Sequence, residues 1–263
     1  MSKTILDIPL QDTHALNNMN PEVLRIHSIE SMGTQDGPGI RLVIFVQGCE
    51  FRCLYCHNPD TLDVKEGRFE PFQDIVNRME RMRNYFGDKG GITISGGEPL
   101  LQRNKIKHLF EILHEKGFNT CVDTNGRLLN EEVKQMLDET DLVLLDIKHM
   151  DPDMHKRLTG LSNKNTLEFA AYREQSGKRM WLRHVLVPGW TDSEEHLHQL
   201  GEYFKDYKNV ERIEILPYHK LGVHKYKEMG LEYKLQDVEP PTEESKARAV
   251  EILSQYFSKV KLK

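Results

Sequence analysis

Apolar and β-branched residues gather in six short runs: Arg41–Val46 (RLVIFV), residues 92–95 (ITIS), Asn119–Thr124, residues 142–148 (LVLLDIK), 181–188 and 212–218. Runs of this length bounded by polar turns predict strands. Between them, apolar residues recur at helical spacing: Phe72, Ile75, Val76, Met79 and Met82, then Ile106, Leu109, Phe110 and Leu113, then Val133, Met136 and Leu137. Stripes of that kind predict amphipathic helices with one buried face. Residues 167–172 and 197–204 fill the next two gaps, and a last helix from about Thr242 carries Ala247, Val250, Leu253 and Phe257. Each interval between strand starts holds one strand plus one helix. Strands that alternate with helices imply parallel pairing through crossovers, because a tight turn does not reach a parallel neighbour. Runs apolar on both faces, such as LVLL, fit a sheet covered by helices. Eight such units would close a barrel. Six predict an α/β fold of partial (β/α)6 type, TIM-like and open on one side.

Length and composition add bounds. The 263 residues are 38% hydrophobic, enough for a sizeable core, and residues 22–263 are expected to form a single domain. Residues 1–21 read as a polar extension outside that core. A net charge of −5 argues against a bulk nucleic-acid binder. No apolar run is long enough to span a bilayer, and the first residues lack the pattern of a secretory signal, so a cytoplasmic address is expected.

The four cysteines are uneven: Cys49, Cys53 and Cys56 lie within eight residues, and Cys121 stands alone. Clustering of this kind suits metal or redox chemistry better than a disulfide framework. The trio reads C-x3-C-x2-C directly after the first predicted strand, at the strand end where α/β barrels place their chemistry. Three thiolates can hold three irons of a 4Fe-4S cubane and leave the fourth iron open. The competing reading is zinc on the three cysteines plus His57 or Cys121; structural zinc sites, however, usually pair two C-x2-C-like halves, and no second half exists here. Cys121, inside a strand with alternating neighbours, reads as a small buried hydrophobe.

With Tyr55 just before its third cysteine, the motif resembles the signature of the radical S-adenosylmethionine enzymes. The stretches DGPGIRLVIFVQGCEFRCLYCHNPDT, TISGGEPL, CVDTNGRL, LVLLDIKHM, RHVLVPGW and EILPYHKLGVHKYKEMGLEYKL are similar, from about residue 24 onward, to the activating enzymes of glycyl-radical enzymes. The resemblance implies that Cys49, Cys53 and Cys56 ligate the cluster. It implies that S-adenosylmethionine chelates the open iron and that its cleavage yields a 5′-deoxyadenosyl radical. The substrate would be a backbone glycine of a partner protein, entering through the open flank of the barrel. A low-potential donor such as flavodoxin or ferredoxin would supply the electron, and a monomer is expected.

The remaining motifs gain meaning beside that resemblance. Alone, Gly96-Gly97 is a turn; after the cysteine motif, Gly97 reads as a cofactor contact and Glu98 as its support. Asp146, Ile147 and Lys148 are implied to line the S-adenosylmethionine site, with the lysine meeting a carboxylate as a point charge. Tyr55, Cys56 and His57 would lie beside the cofactor, Arg183 would pair with its carboxylate or ribose, and His219 of the PYH triplet would meet its nucleoside. A monovalent cation, sodium or potassium, would take oxygens from Asp123, Thr124, Leu144 and Asp146.

Overall fold

The computed structural model describes residues 3–11, 16 and 20–263. They divide into two compact units where the sequence suggests a single domain: residues 10–50 with 61–144, and residues 1–9 with 51–60 and 145–263.

In the first unit, β1 (Val23–Gly33), β2 (Arg41–Val46) and β3 (Arg68–Pro71) precede α1 (Phe72–Phe86), β4 (Gly91–Gly96), α2 (Arg103–Glu115), β5 (Asn119–Thr124) and α3 (Glu131–Asp138). β2, β4 and β5 pair in parallel, placing Ile44 beside Ile94 and Ile94 beside Val122, all fully buried. The two crossovers through α1 and α2 follow the predicted alternation. β1 and β3 were not anticipated: both run antiparallel, β1 pairing with β2 on one side and β3 on the other. Two register shifts in the β1–β2 ladder break the strict alternation that would have marked β1. α1 buries Phe72, Ile75, Val76, Met79 and Phe86, and the Asn130 side chain caps α3 by accepting from the Val133 N–H. Arg41 is fully buried yet satisfied, donating to Thr93 Oγ1 at 2.9 Å, Asn119 Oδ1 at 2.8 Å and the Ile92 carbonyl. One side chain thereby ties three parallel strands.

β6 (Leu142–Asp146) is where the division falls. It ends two residues short of the predicted run, so Ile147 and Lys148 lie in the segment beyond it. The second unit continues with α4 (Pro152–Thr159), α5 (Lys164–Gln175), β7 (Met180–Leu186), α6 (Glu194–Phe204), β8 (Val210–Pro217), α7 (Val223–Glu228), α8 (Glu243–Leu253) and β9 (Val260–Leu262). β7, β8 and β9 pair in parallel. The short β9, mostly exposed, carries too little apolar pattern to be read from sequence. α4 was also missed, although its boundaries are well marked: Asp151 caps it, Pro152 opens it, and Gly160 closes it in the left-handed conformation at φ 87°.

The expected polar extension needs correction where it is described. Ile5 is 1% exposed and Leu16 is 2% exposed, the latter clustered with Val64 and Leu101. Arg52 donates to the carbonyls of Ile8 at 3.0 Å and Pro9 at 2.8 Å, holding residues 8 and 9 by their backbone. The segment is polar on average but places an isolated apolar side chain where a core accepts it. Residues 1, 2, 12–15 and 17–19 lie outside the described residues. No helix among the described residues is long and apolar enough to cross a membrane.

Candidate functional site

In the first unit, the predicted residues gather at the C-terminal ends of β2, β4 and β5. Cys49 follows Gly48, whose φ of 97° is one that side-chain-bearing residues rarely adopt and where a Cβ would press on the side chains of Val64, Leu16 and Leu101. The Gly96-Gly97-Glu98 turn crosses the end of β2: Gly97 N–H donates to the Val46 carbonyl at 2.9 Å, and Glu98 N–H to the Gly48 carbonyl at 2.7 Å. A Cβ on Gly97 would stand 2.1 Å from the Gly48 carbonyl oxygen. Gly97 is therefore required by the scaffold that presents Cys49, whatever ligand it also meets.

Glu98 is fully buried and turned into the protein. Its carboxyl accepts from Thr124 Oγ1 at 2.6 Å, Asn125 N–H at 2.9 Å and Leu100 N–H at 3.0 Å. It supports the site by joining the turn after β4 to the end of β5. Thr124 Oγ1 also accepts from Gly126 N–H at 3.0 Å, and Asp123 Oδ2 accepts from Ser95 Oγ at 2.8 Å. Leu144 is fully buried in β6. Burial, then the neighbouring Glu50, pushes the Glu98 carboxyl up to about 8, with its three donors pulling the other way. A carboxyl that ionises at 4.5 unfolded and near 8 folded makes the folded chain bind the extra proton between those values, so stability falls as pH rises through that window. Thermal midpoints are expected to drop between pH 5.5 and 8.5 more steeply in the natural chain than in Glu98→Gln. Parallel slopes would contradict this.

In the second unit, Cys53, Tyr55, Cys56 and His57 occupy the loop of residues 51–60, pinned to α4 by Arg52 N–H on the Thr159 carbonyl and Leu54 N–H on the Leu158 carbonyl. Burial pushes the Cys53 thiol up to about 12 and raises that of Cys56. Thiols so placed become thiolates when a cation supplies the missing charge. The Tyr55 hydroxyl is buried with no hydrogen-bond partner. Lys148 Nζ lies 2.7 Å from Asp146 Oδ2 and 5.5 Å from the centre of the Tyr55 ring. Burial opposes its charge, but Asp146, Tyr55 and Cys53 hold the ammonium well above its ordinary range. Ile147 is locked by its backbone, donating to the Arg183 carbonyl at 2.8 Å and accepting from His184 Nδ1 at 2.8 Å. Arg183, expected to face a ligand, is buried with its Nε 3.4 Å from Glu214 Oε2, in a cluster that also draws Arg212 and Lys263 to that carboxylate.

His57 and His219, 162 positions apart in the chain, stack at 3.9 Å with rings 20° from parallel. His57 Nε2 is 3.1 Å from the His219 carbonyl, which only accepts, so that nitrogen carries the proton. Burial, then His219, lowers His57 to about 4, and burial lowers His219. Both rings are neutral at pH 7 and present a flat, uncharged face.

Sequence reasoning missed the clasp on this loop. Tyr226 donates its hydroxyl to the Cys56 carbonyl at 3.0 Å, and Lys225 Nζ bridges Asn58 Oδ1 and Asp60 Oδ1, each at 3.0 Å. Gly222 packs on the His57 backbone, where a Cβ would stand 2.7 Å from the carbonyl oxygen and 2.8 Å from Cα. Its φ of −84° suits any residue, so the requirement is steric. Gly222→Ala is expected to destabilise the chain by about 1–3 kcal/mol through overpacking. Chemical denaturation checks this; a variant as stable as the natural chain would contradict the clasp. The string LGVHKY carries the glycine, lysine and tyrosine of the clasp, but nothing local in it marks a contact with a loop more than 160 positions away.

The chemistry of the donors fits an iron–sulfur cluster with an organic cofactor. The cysteines stand as thiols rather than disulfides, burial keeps two of them in the neutral form that a bound metal would ionise, and the buried Tyr55 hydroxyl has no hydrogen-bond partner. Comparison with known proteins agrees. The Radical SAM superfamily matches residues 43–201. The pyruvate formate-lyase 1-activating enzyme of Escherichia coli K12 is 47% identical over 239 residues, covering 90% of this chain and 97% of that protein. The pyruvate formate-lyase-activating enzyme of Staphylococcus epidermidis is 47% identical over 228 residues, covering 84% and 91%. Among solved structures, Streptococcus suis SuiB bound to precursor peptide SuiA superposes with a TM-score of 0.65 at 19% identity, covering 89% of this chain and 50% of that one. At that identity the likeness speaks to fold alone, and it is to the mostly parallel α/β partial barrel predicted from the strand count. By these matches the chain belongs to the radical SAM superfamily and, within it, to the family of the pyruvate formate-lyase-activating enzymes.

Proposed function

We propose that this chain activates pyruvate formate-lyase by placing a glycyl radical on it, with Cys49, Cys53 and Cys56 holding a 4Fe-4S cluster. The observation that carries the reading is a set of three clustered thiols with no fourth cysteine near them in sequence, which leaves one iron for the cofactor. When bound, the cluster would supply one electron to S-adenosylmethionine, whose cleavage to methionine and a 5′-deoxyadenosyl radical provides the means of taking hydrogen from a backbone glycine of the partner.

The chain's own residues bind and orient. Lys148 offers its ammonium to the methionyl carboxylate, held in place by Asp146, with Ile147 fixed between them by its backbone bonds. The Tyr55 hydroxyl and the neutral His57–His219 stack offer an uncharged surface to the nucleoside. Arg183, drawn toward Glu214, stands as the residue to meet the cofactor's carboxylate or ribose. Gly97 gives the cofactor's amino group a backbone edge to meet, while Glu98 holds Thr124 and Asn125 beneath it. A sodium or potassium ion beside the carboxylate draws oxygens from Asp123, Thr124, Leu144 and Asp146. The enzyme works as a cytoplasmic monomer in anaerobic glucose metabolism, reduced by flavodoxin or ferredoxin.

Metal analysis and chromatography test the first half of this reading. Anaerobically reconstituted protein is expected to hold iron and sulfide, absorb broadly in the visible, and form 5′-deoxyadenosine when given reductant and S-adenosylmethionine. A single zinc with no visible absorption would overturn it.

A further inference from the structure

The second unit holds a cavity of 340 Å³ that the proposed chemistry does not use. His149 and Asp151, from the segment between β6 and α4, and Met154, in the first turn of α4, form part of its lining; the loop after β7 and the first turns of α6 form the rest. At the small end of ligand-pocket sizes, it suits a compact molecule.

His196 makes this cavity more than a surface dent. It lines the cavity, is 2% exposed, and neither ring nitrogen has a hydrogen-bond partner. A buried polar group left unpaired keeps its desolvation penalty uncompensated, so the lining is incomplete as it stands. Burial, then His184 and His149, lowers His196 to about 2, and burial also lowers His149, so both lining imidazoles are neutral. A neutral imidazole offers one N–H and one lone pair.

The charged lining is of one sign. Asp151, Asp192 and Glu195 contribute carboxylates, and no lysine or arginine lines the cavity. Asp151 Oδ1 accepts from Met154 N–H and Asp192 Oδ1 from Gly189 N–H, each at 2.7 Å, which fixes both side chains and leaves each a second oxygen. Arg157 stands 5.6 Å from the centre of the Trp190 ring, but one guanidinium leaves the balance negative. Trp190 adds an aromatic wall of the kind that attracts cations. A metal ion fits less well: the rings of His149 and His196 stack at 3.9 Å and 23°, and no three of the His, Asp and Glu residues lining this cavity form a ligand set.

We propose that this cavity binds a small organic cation, an amine or guanidinium compound, whose charge meets Asp151, Asp192 and Glu195 and whose polar hydrogen reaches His196. Titration calorimetry on the reconstituted enzyme tests it with agmatine, neutral N-butylurea and zinc chloride. Agmatine is expected to bind saturably at one site, with N-butylurea at least about tenfold weaker. Asp192→Asn keeps the bond to Gly189 through its amide oxygen, and His196→Phe keeps the stack on His149; each is expected to weaken agmatine about tenfold or more. If His196→Phe does not fold, Asp192→Asn carries the test alone. No saturable agmatine binding, equal binding of N-butylurea, unaltered affinity in a folded variant, or zinc binding in place of agmatine would overturn the proposal.

Discussion

Alanine at Cys49, Cys53 or Cys56 is expected to abolish cluster assembly and 5′-deoxyadenosine formation, whereas Cys121→Ala keeps both. Each triad thiolate is assigned as the one protein ligand of its iron, so its loss leaves a second iron open rather than a weakened bond. Cys121 offers no substitute: it is fully buried in the middle of β5, opposite Thr93 of β4. Its replacement removes one core sulfur and should lower stability by about 1 kcal/mol. Iron and sulfide content, read beside the visible spectrum, separates the two classes. A triad variant that retains a full complement of iron and cleaves S-adenosylmethionine would contradict the ligand assignment.

The second large effect is expected at Lys148. Lys148→Ala removes the ammonium and leaves the partly buried Asp146 carboxylate without its cation at 2.7 Å. Removing one partner of a fully buried pair costs about 3–5 kcal/mol, and with these side chains 12% and 22% exposed a value of about 2 kcal/mol is expected. The affinity for S-adenosylmethionine should fall by about 10- to 100-fold, the worth of one charge-assisted hydrogen bond, while iron content stays unchanged. Lys148→Arg should restore stability but only part of the affinity, because a planar fork does not replace a point charge. Equilibrium binding measured on cluster-loaded protein checks this, and an unaltered dissociation constant in Lys148→Ala would remove the residue from the cofactor site.

How much of this was legible in the chain depends on whether the information was local. C-x3-C-x2-C is a local pattern, and the ends of β2, β4, β5 and β6 were marked by β-branched runs meeting polar residues, so the parallel strands were readable. β1 was not, because after Leu24 and Ile26 its burial fades into exposed Glu30 and Ser31. The role of Gly97 was readable only in part: a close approach was expected there, but its object is the backbone of Gly48. The stack of His57 on His219 and the bond from Tyr226 to Cys56 join residues more than 160 positions apart, which no local pattern reports. His196 was hidden differently. Its place in α6 reads as one more position of an amphipathic helix, and only the cavity beside it distinguishes it.

The most direct test of the central claim is electron paramagnetic resonance under anaerobic conditions. The reconstituted protein would be given reductant, S-adenosylmethionine and pyruvate formate-lyase carrying deuterated glycine. A glycyl-radical signal on the partner, together with 5′-deoxyadenosine that has gained one deuterium, is the result expected. Cleavage of S-adenosylmethionine with neither a radical on pyruvate formate-lyase nor deuterium in the product would contradict it.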